Sequence, residues 1–201
     1  MKNNMTNEKM RISPRADRDY PWLARFIFWA QKKKYGESLF PSRLWGRSPS
    51  LLYGLQVFYR CIDRKGSPLE PALRALINVR VSQINHCEFC VDISSSLLQK
   101  RGVSNEKIID LQNYENSALF TERERSAIAF AEAMTFSDKS VNAVVFDRLK
   151  NHFTEDAIVE LTALIGYQNL SSKFNSALAV PIQGFCFMPA QPSDTAIKNQ
   201  T

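Results

Sequence analysis

This 201-residue sequence predicts an all-α fold, because apolar residues recur at helical spacing and helix-start signals precede several of those runs. Even the Val- and Ile-rich run at residues 77–81 fits helical spacing better than strand alternation. The apolar fraction of 44% is typical of a globular protein, and the length fits one domain with a substantial core.

The clearest helix start lies in SPLE, with Ser67 predicted as the N-cap, Pro68 at the first helical position and Glu70 three residues after the cap. This helix should end near Asn85, and its apolar stripe is formed by Leu69, Leu73, Leu76, Ile77, Val81 and Ile84. Further helices are expected at 22–34, 50–61 and 87–101 (ended by Gly102), after Ser104, after Thr121, across 141–149 and from Thr154 toward Leu178.

The net charge of +6 is unevenly distributed. Residues 1–34 hold nine Lys or Arg against three acids, and the remainder holds 17 of each. We therefore divide the chain into a flexible basic leader (1–18), a single helical domain (19–190) and a polar tail (191–201). The leader has no accompanying recognition motif, so we expect no specific nucleic-acid partner.

The N-terminus has charged and amide residues where a secretory signal needs an apolar run. The aromatic patch FIFWA, residues 26–30, is too short to span a bilayer. We expect a cytoplasmic protein without a membrane span.

The most informative motif is NHCEFC, in which Cys87 and Cys90 are separated by two residues. The other two cysteines, Cys61 and Cys186, are isolated in the sequence. A lone CxxC in an intracellular chain favours redox chemistry, with a metal site and an inert buried pair as the alternatives. A structural zinc site would need four ligands, and no second closely spaced ligand pair follows, so we expect neither a metal nor a cofactor.

At the start of a helix, Cys87 would lie near unpaired backbone N–H groups that stabilise a thiolate. That effect is worth only ~0.3–1 kcal/mol, less than one pKa unit at about 1.36 kcal/mol, so a second activator is needed. His86 is a candidate proton acceptor, or alternatively a turn residue with a backbone hydrogen bond. Ser94, one turn beyond Cys90, could orient a water or bond its own helix backbone.

The segment LRALINVRVSQINHCEFCVDISSSLLQKRGVS, residues 73–104, resembles the carboxymuconolactone decarboxylase and alkyl hydroperoxidase D-like (AhpD-like) family. Weaker similarity lies at 120–135 and 153–186. The resemblance implies an all-helical homo-oligomer. It also implies an antioxidant peroxidase in which one cysteine of the CxxC is oxidised by peroxide, the other closes a disulfide, and a dithiol donor returns the electrons.

This chain departs from the family's peroxidase pattern at two positions. Ser94 stands where a His follows the second cysteine by four residues, and Ala75 stands where a Glu precedes the first by twelve. By resemblance that His and that Glu form a proton relay, and Cys90 would be the cysteine that the relay serves. The position of Cys87 at a helix start instead favours Cys87 as the more acidic thiol. The order of attack stays open at this point.

Three functions are thus compatible with the sequence. A thiol-dependent peroxidase using Cys87 and Cys90, with His86 and Ser94 as accessory residues, is the leading hypothesis. A noncatalytic redox sensor or interaction module is the alternative, motivated by the missing relay. Lactone decarboxylation ranks last, because no acid–base constellation for it is visible in the sequence.

Overall fold

A computed structural model of the protein describes residues 10–186, which contain nine α-helices, two 3-10 turns and no strand. The all-α prediction is confirmed. The helices are α1 (Trp22–Tyr35), α2 (Phe40–Trp45), α3 (Pro49–Ile62), α4 (Pro71–Ile84), α5 (Glu88–Lys100), α6 (Asn105–Ile109), α7 (Glu122–Thr135), α8 (Ala143–Lys150) and α9 (Glu155–Ala177). The 3-10 turns are Asp17–Asp19 and Asp110–Asn113.

Several helix starts follow the predicted capping signals. The Thr121 hydroxyl accepts a hydrogen bond from the Glu124 amide, and the Glu124 carboxylate accepts one from the Thr121 amide, so α7 has the predicted capping box. The Ser104 hydroxyl caps α6 by accepting from the Lys107 amide, and the Thr154 hydroxyl caps α9 by accepting from the Ala157 amide. Side-chain acceptors therefore satisfy N–H groups that a helix start would otherwise leave unpaired.

The predicted start of α4 is wrong by three residues. The helix begins at Pro71, which takes the first-position role assigned to Pro68, and Glu70 is the N-cap. Ser67 does not cap it: its hydroxyl donates to the Glu160 carboxylate at 2.7 Å and accepts from the Leu69 amide at 3.2 Å. Two prolines three residues apart offered alternative starts, and the contact with α9 fixes the choice.

The short helix α2 was not predicted, because six residues are too few to display a helical period. It packs against α9 through Trp45, whose ring stacks on Phe174 at a centroid distance of 3.6 Å. Together with α1 and α3, α2 covers the side of α5 and α9 on which the site described below opens.

Helix α4 is central, since it contacts α5, α7 and α9 along its length. The predicted stripe is buried except for Ile84, which is partly exposed, and Ala75 and Val79 are buried as well. Leu161, Leu164 and Ile165 of α9 enter the same core. Burying each such side chain typically contributes about 1.5–3 kcal/mol, so this four-helix contact anchors α4, α5 and α9 relative to one another.

Residues 10–20 cross the end of α9, where the Arg11 amide donates to the Leu178 carbonyl at 3.1 Å and Met10 packs near the CxxC. The rest of the predicted leader, residues 1–9, and the predicted tail, 191–201, lie outside the described residues. Among residues 10–186, no helix has the length and apolar character needed to cross a membrane.

Candidate active site

The turn between α4 and α5 places the CxxC. The His86 amide donates to the Gln83 carbonyl at 3.1 Å and the Cys87 amide to the Ser82 carbonyl at 3.0 Å, which is the hydrogen-bond pattern of a Schellman motif. His86 occupies the left-handed position of this motif with φ 50°. Gly102 has the same position at the end of α5, with φ 81°. His86 is thus a turn residue, as in one of the two sequence readings.

Cys87 is the N-cap of α5, and its sulfur accepts a hydrogen bond from the Cys90 amide at 3.3 Å. Cys90 therefore lies in the first turn of the same helix. Both thiols are buried and neither is in a disulfide. Residues three apart share a helix face, so the two sulfurs are placed to interact.

Helix α9 supplies the polar partners of Cys90. The Asn175 amide Nδ2 donates to Cys90 Sγ at 3.2 Å. Ser172 lies one turn before Asn175 on α9, and Gln168 lies two turns before it. Gln168 Nε2 donates to Ser172 Oγ at 3.0 Å and to Ser82 Oγ of α4 at 2.9 Å. These polar groups are almost fully buried, so they form a fixed hydrogen-bonding wall around the sulfur rather than a solvated surface.

The pKa values of the two thiols move in opposite directions. Hydrogen bonding from the Cys87 thiol is the largest cause that lowers the pKa of Cys90; burial opposes it, and donors on Asn175, Ser172 and Gln168 lower it further. The hydrogen bond with Cys90, followed by burial, raises the pKa of Cys87. The charged form is therefore favoured at Cys90 and disfavoured at Cys87.

This assignment differs from the helix-terminus argument, which favoured Cys87. The N-cap sulfur receives one backbone N–H, whereas Cys90 receives the Cys87 thiol and the side-chain donors of α9. Several donors to the charged form outweigh one, because each favours the thiolate.

Cys90 lines a cavity of about 640 Å³ bounded by α1, α2, α3, α5 and α9, with Asn78 contributed by α4. Ser94 is buried and lines the same cavity, so the predicted pair Cys90 and Ser94 is brought together around one space. His86 is exposed. Within residues 10–186, His86 is not among the hydrogen-bond partners of either sulfur.

A segment following α9 closes the other side of the CxxC. Val180 packs in one apolar cluster with Cys87 and Cys90. The Asp92 carboxylate holds the segment by accepting backbone N–H bonds from Gln183 at 3.2 Å, and from Phe185 and Cys186 at 3.0 and 2.7 Å. Charge-assisted bonds of this kind are stronger than neutral ones, so Asp92 is a structural anchor.

Sequence reasoning found the CxxC but missed the wall on α9. Its members stand at positions 168, 172 and 175, spaced four and three apart, among residues predicted only as an apolar helix. Polar residues at helical spacing inside an apolar stripe were the available signal, since they share a face. Their partner lies 85 residues away, which local patterns do not reveal.

The described part of the chain contains no cluster of three or more His, Cys, Asp or Glu side chains arranged to hold a metal ion. The two thiols, the hydroxyls and the carboxamides are the chemical groups of the site.

Comparison with known proteins gives consistent matches. The sequence model of the Carboxymuconolactone decarboxylase family matches residues 56–133, a span that includes the CxxC. The uncharacterized protein YnjA of Escherichia coli (strain K12) is 42% identical over 173 residues, which cover 86% of this chain and 95% of YnjA.

Solved structures share the architecture. The debrominase Bmp8, in its apo form, matches with a TM-score of 0.76 at 23% identity, covering 87% of this chain and 92% of Bmp8. An AhpD-core, peroxidase-related protein from Ralstonia eutropha JMP134 matches with a TM-score of 0.78 at 19% identity, covering 88% and 94%. At these identities the structural matches establish the fold alone.

Proposed function

Because this chain belongs to the carboxymuconolactone decarboxylase family and shares its fold with an AhpD-core protein, we propose that it is a thiol-dependent peroxidase that cycles Cys87 and Cys90 between dithiol and disulfide. The observation that carries the proposal is the state of Cys90. Its thiol has a lowered pKa, receives a side-chain hydrogen bond and lines a cavity that a substrate can enter. Thiolates, not thiols, are the nucleophiles toward peroxides.

The first step is attack of the Cys90 thiolate on the terminal oxygen of a hydroperoxide. The O–O bond breaks, an S–O bond forms, and the leaving alkoxide takes a proton from water to become an alcohol. Cys90 becomes a sulfenic acid, R–SOH.

In the second step Cys87 gives up its proton and its sulfur attacks the sulfenic sulfur. The S–S bond forms, the S–O bond breaks, and the leaving hydroxide takes the proton to become water. Cys87 suits this role because it keeps its proton while Cys90 reacts, and because it stands one turn away on the same helix end. A dithiol donor then reduces the disulfide, so that one peroxide and one dithiol yield an alcohol, water and an oxidised donor.

The cycle uses thiol chemistry alone, without a bound cofactor. It requires a compartment that supplies dithiol reductants, which is the condition of the cytoplasm. The peroxide and the dithiol donor are the partners that the proposal requires.

The proposed enzyme is a homo-oligomer. Helices α1 and α3 expose apolar side chains, including Trp22, Phe26, Trp29, Val57 and Phe58, with exposed fractions from 43% to 77%. Apolar groups in such number on neighbouring helices are typical of a subunit contact. Light scattering on the purified protein tests this part: a monomer at micromolar concentration would contradict it.

His86 and Ser94 keep their accessory roles as parts of the proposal. Ser94 contributes a hydroxyl to the cavity wall. His86, exposed at the turn, would act through solvent rather than by direct contact with a sulfur.

Steady-state turnover of an organic hydroperoxide with a dithiol reductant tests the proposal. Cys87→Ser and Cys90→Ser should each abolish turnover, whereas Cys61→Ser, which changes an exposed cysteine outside the site, should not. Cys90→Ser should also lose the first oxidation step, and Cys87→Ser should retain it as a sulfenic acid trapped by dimedone. Peroxide turnover that survives loss of both thiols would overturn the proposal.

A further inference from the structure

The cavity beside Cys90 opens through the exposed apolar side of α1 and α3. Three of its wall residues, Leu23, Phe26 and Val57, are 36%, 56% and 63% exposed. Ala30, one turn beyond Phe26, also lines the cavity and is exposed. In a single chain the cavity of about 640 Å³ therefore has an apolar mouth that faces solvent between these two helices.

The deep end of the cavity is dry by comparison. Cys90 and Asn175 are only 3% and 1% exposed. Hydrogen bonds to a charged sulfur are stronger where water is excluded, and water that enters through the mouth weakens them. A cover over the mouth would complete the site.

Three aromatic side chains form an exposed stripe on α1 beside this mouth. Trp22, Phe26 and Trp29 stand four and three residues apart, and the rings of Phe26 and Trp29 stack at a centroid distance of 5.5 Å. Residues at this spacing share one helix face. Lys33 lies on the same face, with Nζ 4.1 Å from the Trp29 ring centroid. An exposed aromatic stripe with a polar end is typical of a protein interface.

The two ends of the stripe carry opposite charges. Asp19 lies in the 3-10 turn before α1 with its side chain 54% exposed, seven residues before Phe26, and Lys33 lies seven residues after it. If two α1 helices pair antiparallel about a two-fold axis at Phe26, positions equally far before and after Phe26 face each other. Asp19 of each copy then faces Lys33 of the other. A parallel pair would bring the two basic ends together, which is unfavourable.

The same register matches the sizes of the side chains. Trp22 and Ala30 each stand four residues from Phe26, so the large ring of one copy meets the small side chain of the other. Trp29 and Leu23 each stand three residues away and pair in the same manner. Well-packed interfaces depend on such complementary shapes. Because Leu23, Phe26 and Ala30 line the cavity, the aromatic side chains of the second copy would lie over its mouth.

We propose that a second copy of this chain docks on the stripe of Trp22, Phe26 and Trp29, with the two α1 helices antiparallel, and closes the mouth of the Cys90 cavity. The inference rests on the homo-oligomer of the proposed function and deepens it, because each copy becomes part of the other's site. It does not depend on peroxide turnover, so the docking and the peroxidase activity can fail separately.

Sedimentation equilibrium of the reduced protein tests the docking surface. Phe26→Glu should weaken dimerisation at least about tenfold, because a charge would be buried among aromatic rings. Val144→Glu is the matched control, since Val144 is 77% exposed on α8, and it should dimerise as the wild type does. Undiminished dimerisation of Phe26→Glu would overturn this inference alone. A monomeric wild type at micromolar concentration would overturn the homo-oligomer as well.

Charge reversal tests the antiparallel register. Asp19→Lys and Lys33→Glu should each weaken the dimer about three- to tenfold, because the two-fold axis repeats the pair. The double variant restores opposite charges and should dimerise within about twofold of the wild type. Losses that add up in the double variant would overturn the register.

The basic end of α1 makes an anionic membrane the competing occupant of the stripe. Cosedimentation with vesicles containing phosphatidylglycerol distinguishes the two. A wild-type protein that stays monomeric in solution and binds these vesicles through Phe26 would overturn the inference, and a dimer that leaves them unbound would support it.

Alkylation of Cys90 tests the closure of the cavity. Iodoacetamide should modify Cys90 at least about fivefold more slowly in the wild-type dimer than after dilution to the monomer, since the mouth is then uncovered. Phe26→Glu, already monomeric, should show no such dependence on protein concentration. Equal rates in the wild-type dimer and monomer would show that the second copy does not cover the cavity, and would overturn the closure whatever the peroxidase assay finds.

Discussion

The Asn175 carboxamide donates a hydrogen bond to the sulfur of Cys90 at 3.2 Å, across 85 residues of sequence. This contact joins the end of the long helix α9 to the first turn of α5. The Cys90 sulfur therefore accepts from Asn175 as well as from the Cys87 thiol, and both donors favour its charged form. Amide and hydroxyl donors of α9 add to this effect, on Asn175, Ser172 and Gln168.

Asn175→Ala should slow alkylation of Cys90 at pH 7 by about tenfold or more. A hydrogen bond to a charged group is typically worth about 1.5–3 kcal/mol, and roughly 1.4 kcal/mol is a factor of ten in thiolate population. The rate should recover at high pH, where ionisation no longer depends on the donor. Iodoacetamide labelling followed by peptide mass spectrometry measures this rate for each cysteine.

The matched control is Asn169→Ala on the same helix. Asn169 donates to Thr135 at 3.0 Å and accepts from Asn85 at 2.9 Å, and neither of these hydrogen bonds is to a sulfur. Its substitution should leave the Cys90 rate within about twofold of wild type. A wild-type rate in Asn175→Ala would show that the contact does not activate the thiol.

Cys87→Ala should move the pH dependence of Cys90 alkylation to higher pH. The Cys87 thiol is the leading cause of the lowered Cys90 pKa, and removing a donor to the thiolate disfavours the charged form. The reactive form therefore appears later as pH rises. Cys87→Ser, which keeps a hydroxyl donor, should show the smaller shift. Coincident curves for wild type and Cys87→Ala would contradict this account of the pair.

His86→Gly should stabilise the protein by up to about 1 kcal/mol. His86 holds a left-handed conformation, which costs an ordinary residue about 1–2 kcal/mol, and glycine avoids that cost but loses more freedom on folding. Thermal unfolding measures the change, and Gly102→Ala, the reverse substitution at the end of α5, should destabilise. The Cys90 alkylation rate should change less than in Asn175→Ala; a comparable loss would mean that the His86 side chain activates the thiol.

Asp92→Asn should loosen the segment that follows α9. The carboxylate accepts three backbone N–H groups, and replacing one oxygen by an NH₂ group leaves part of this set unpaired, at a cost of about 2 kcal/mol. Hydrogen exchange at the Gln183, Phe185 and Cys186 amides should accelerate about 10- to 100-fold. Asp147→Asn, at an exposed position of α8, should leave those amides protected. Unchanged exchange in Asp92→Asn would show that the segment is held otherwise.

Local signals predicted most of the fold. The capping box at Thr121 and the glycine stop at Gly102 mark helix ends through bonds between near neighbours, which the sequence displays directly. The start of α4 was misplaced because Pro68 and Pro71 both satisfy the local rule, and contacts with α9 decide between them. Helix α2 is too short to show a period.

The sequence predicted only those parts of the site that are formed by residues close to one another along the chain. Spacing alone placed Cys87 and Cys90 at a helix start. The Cys87 thiol is the largest cause of the lowered Cys90 pKa, but the further donors Asn175, Ser172 and Gln168 are brought to Cys90 by tertiary packing.

The central claim is that the charged form is favoured at Cys90 and disfavoured at Cys87. Titrating both cysteines in the wild-type protein, by pH-dependent alkylation with peptide mass spectrometry, tests it most directly. Cys90 should titrate below the ordinary thiol value of about 8.5, with Cys87 above it. Both thiols titrating near that ordinary value, or Cys87 ionising first, would contradict the account.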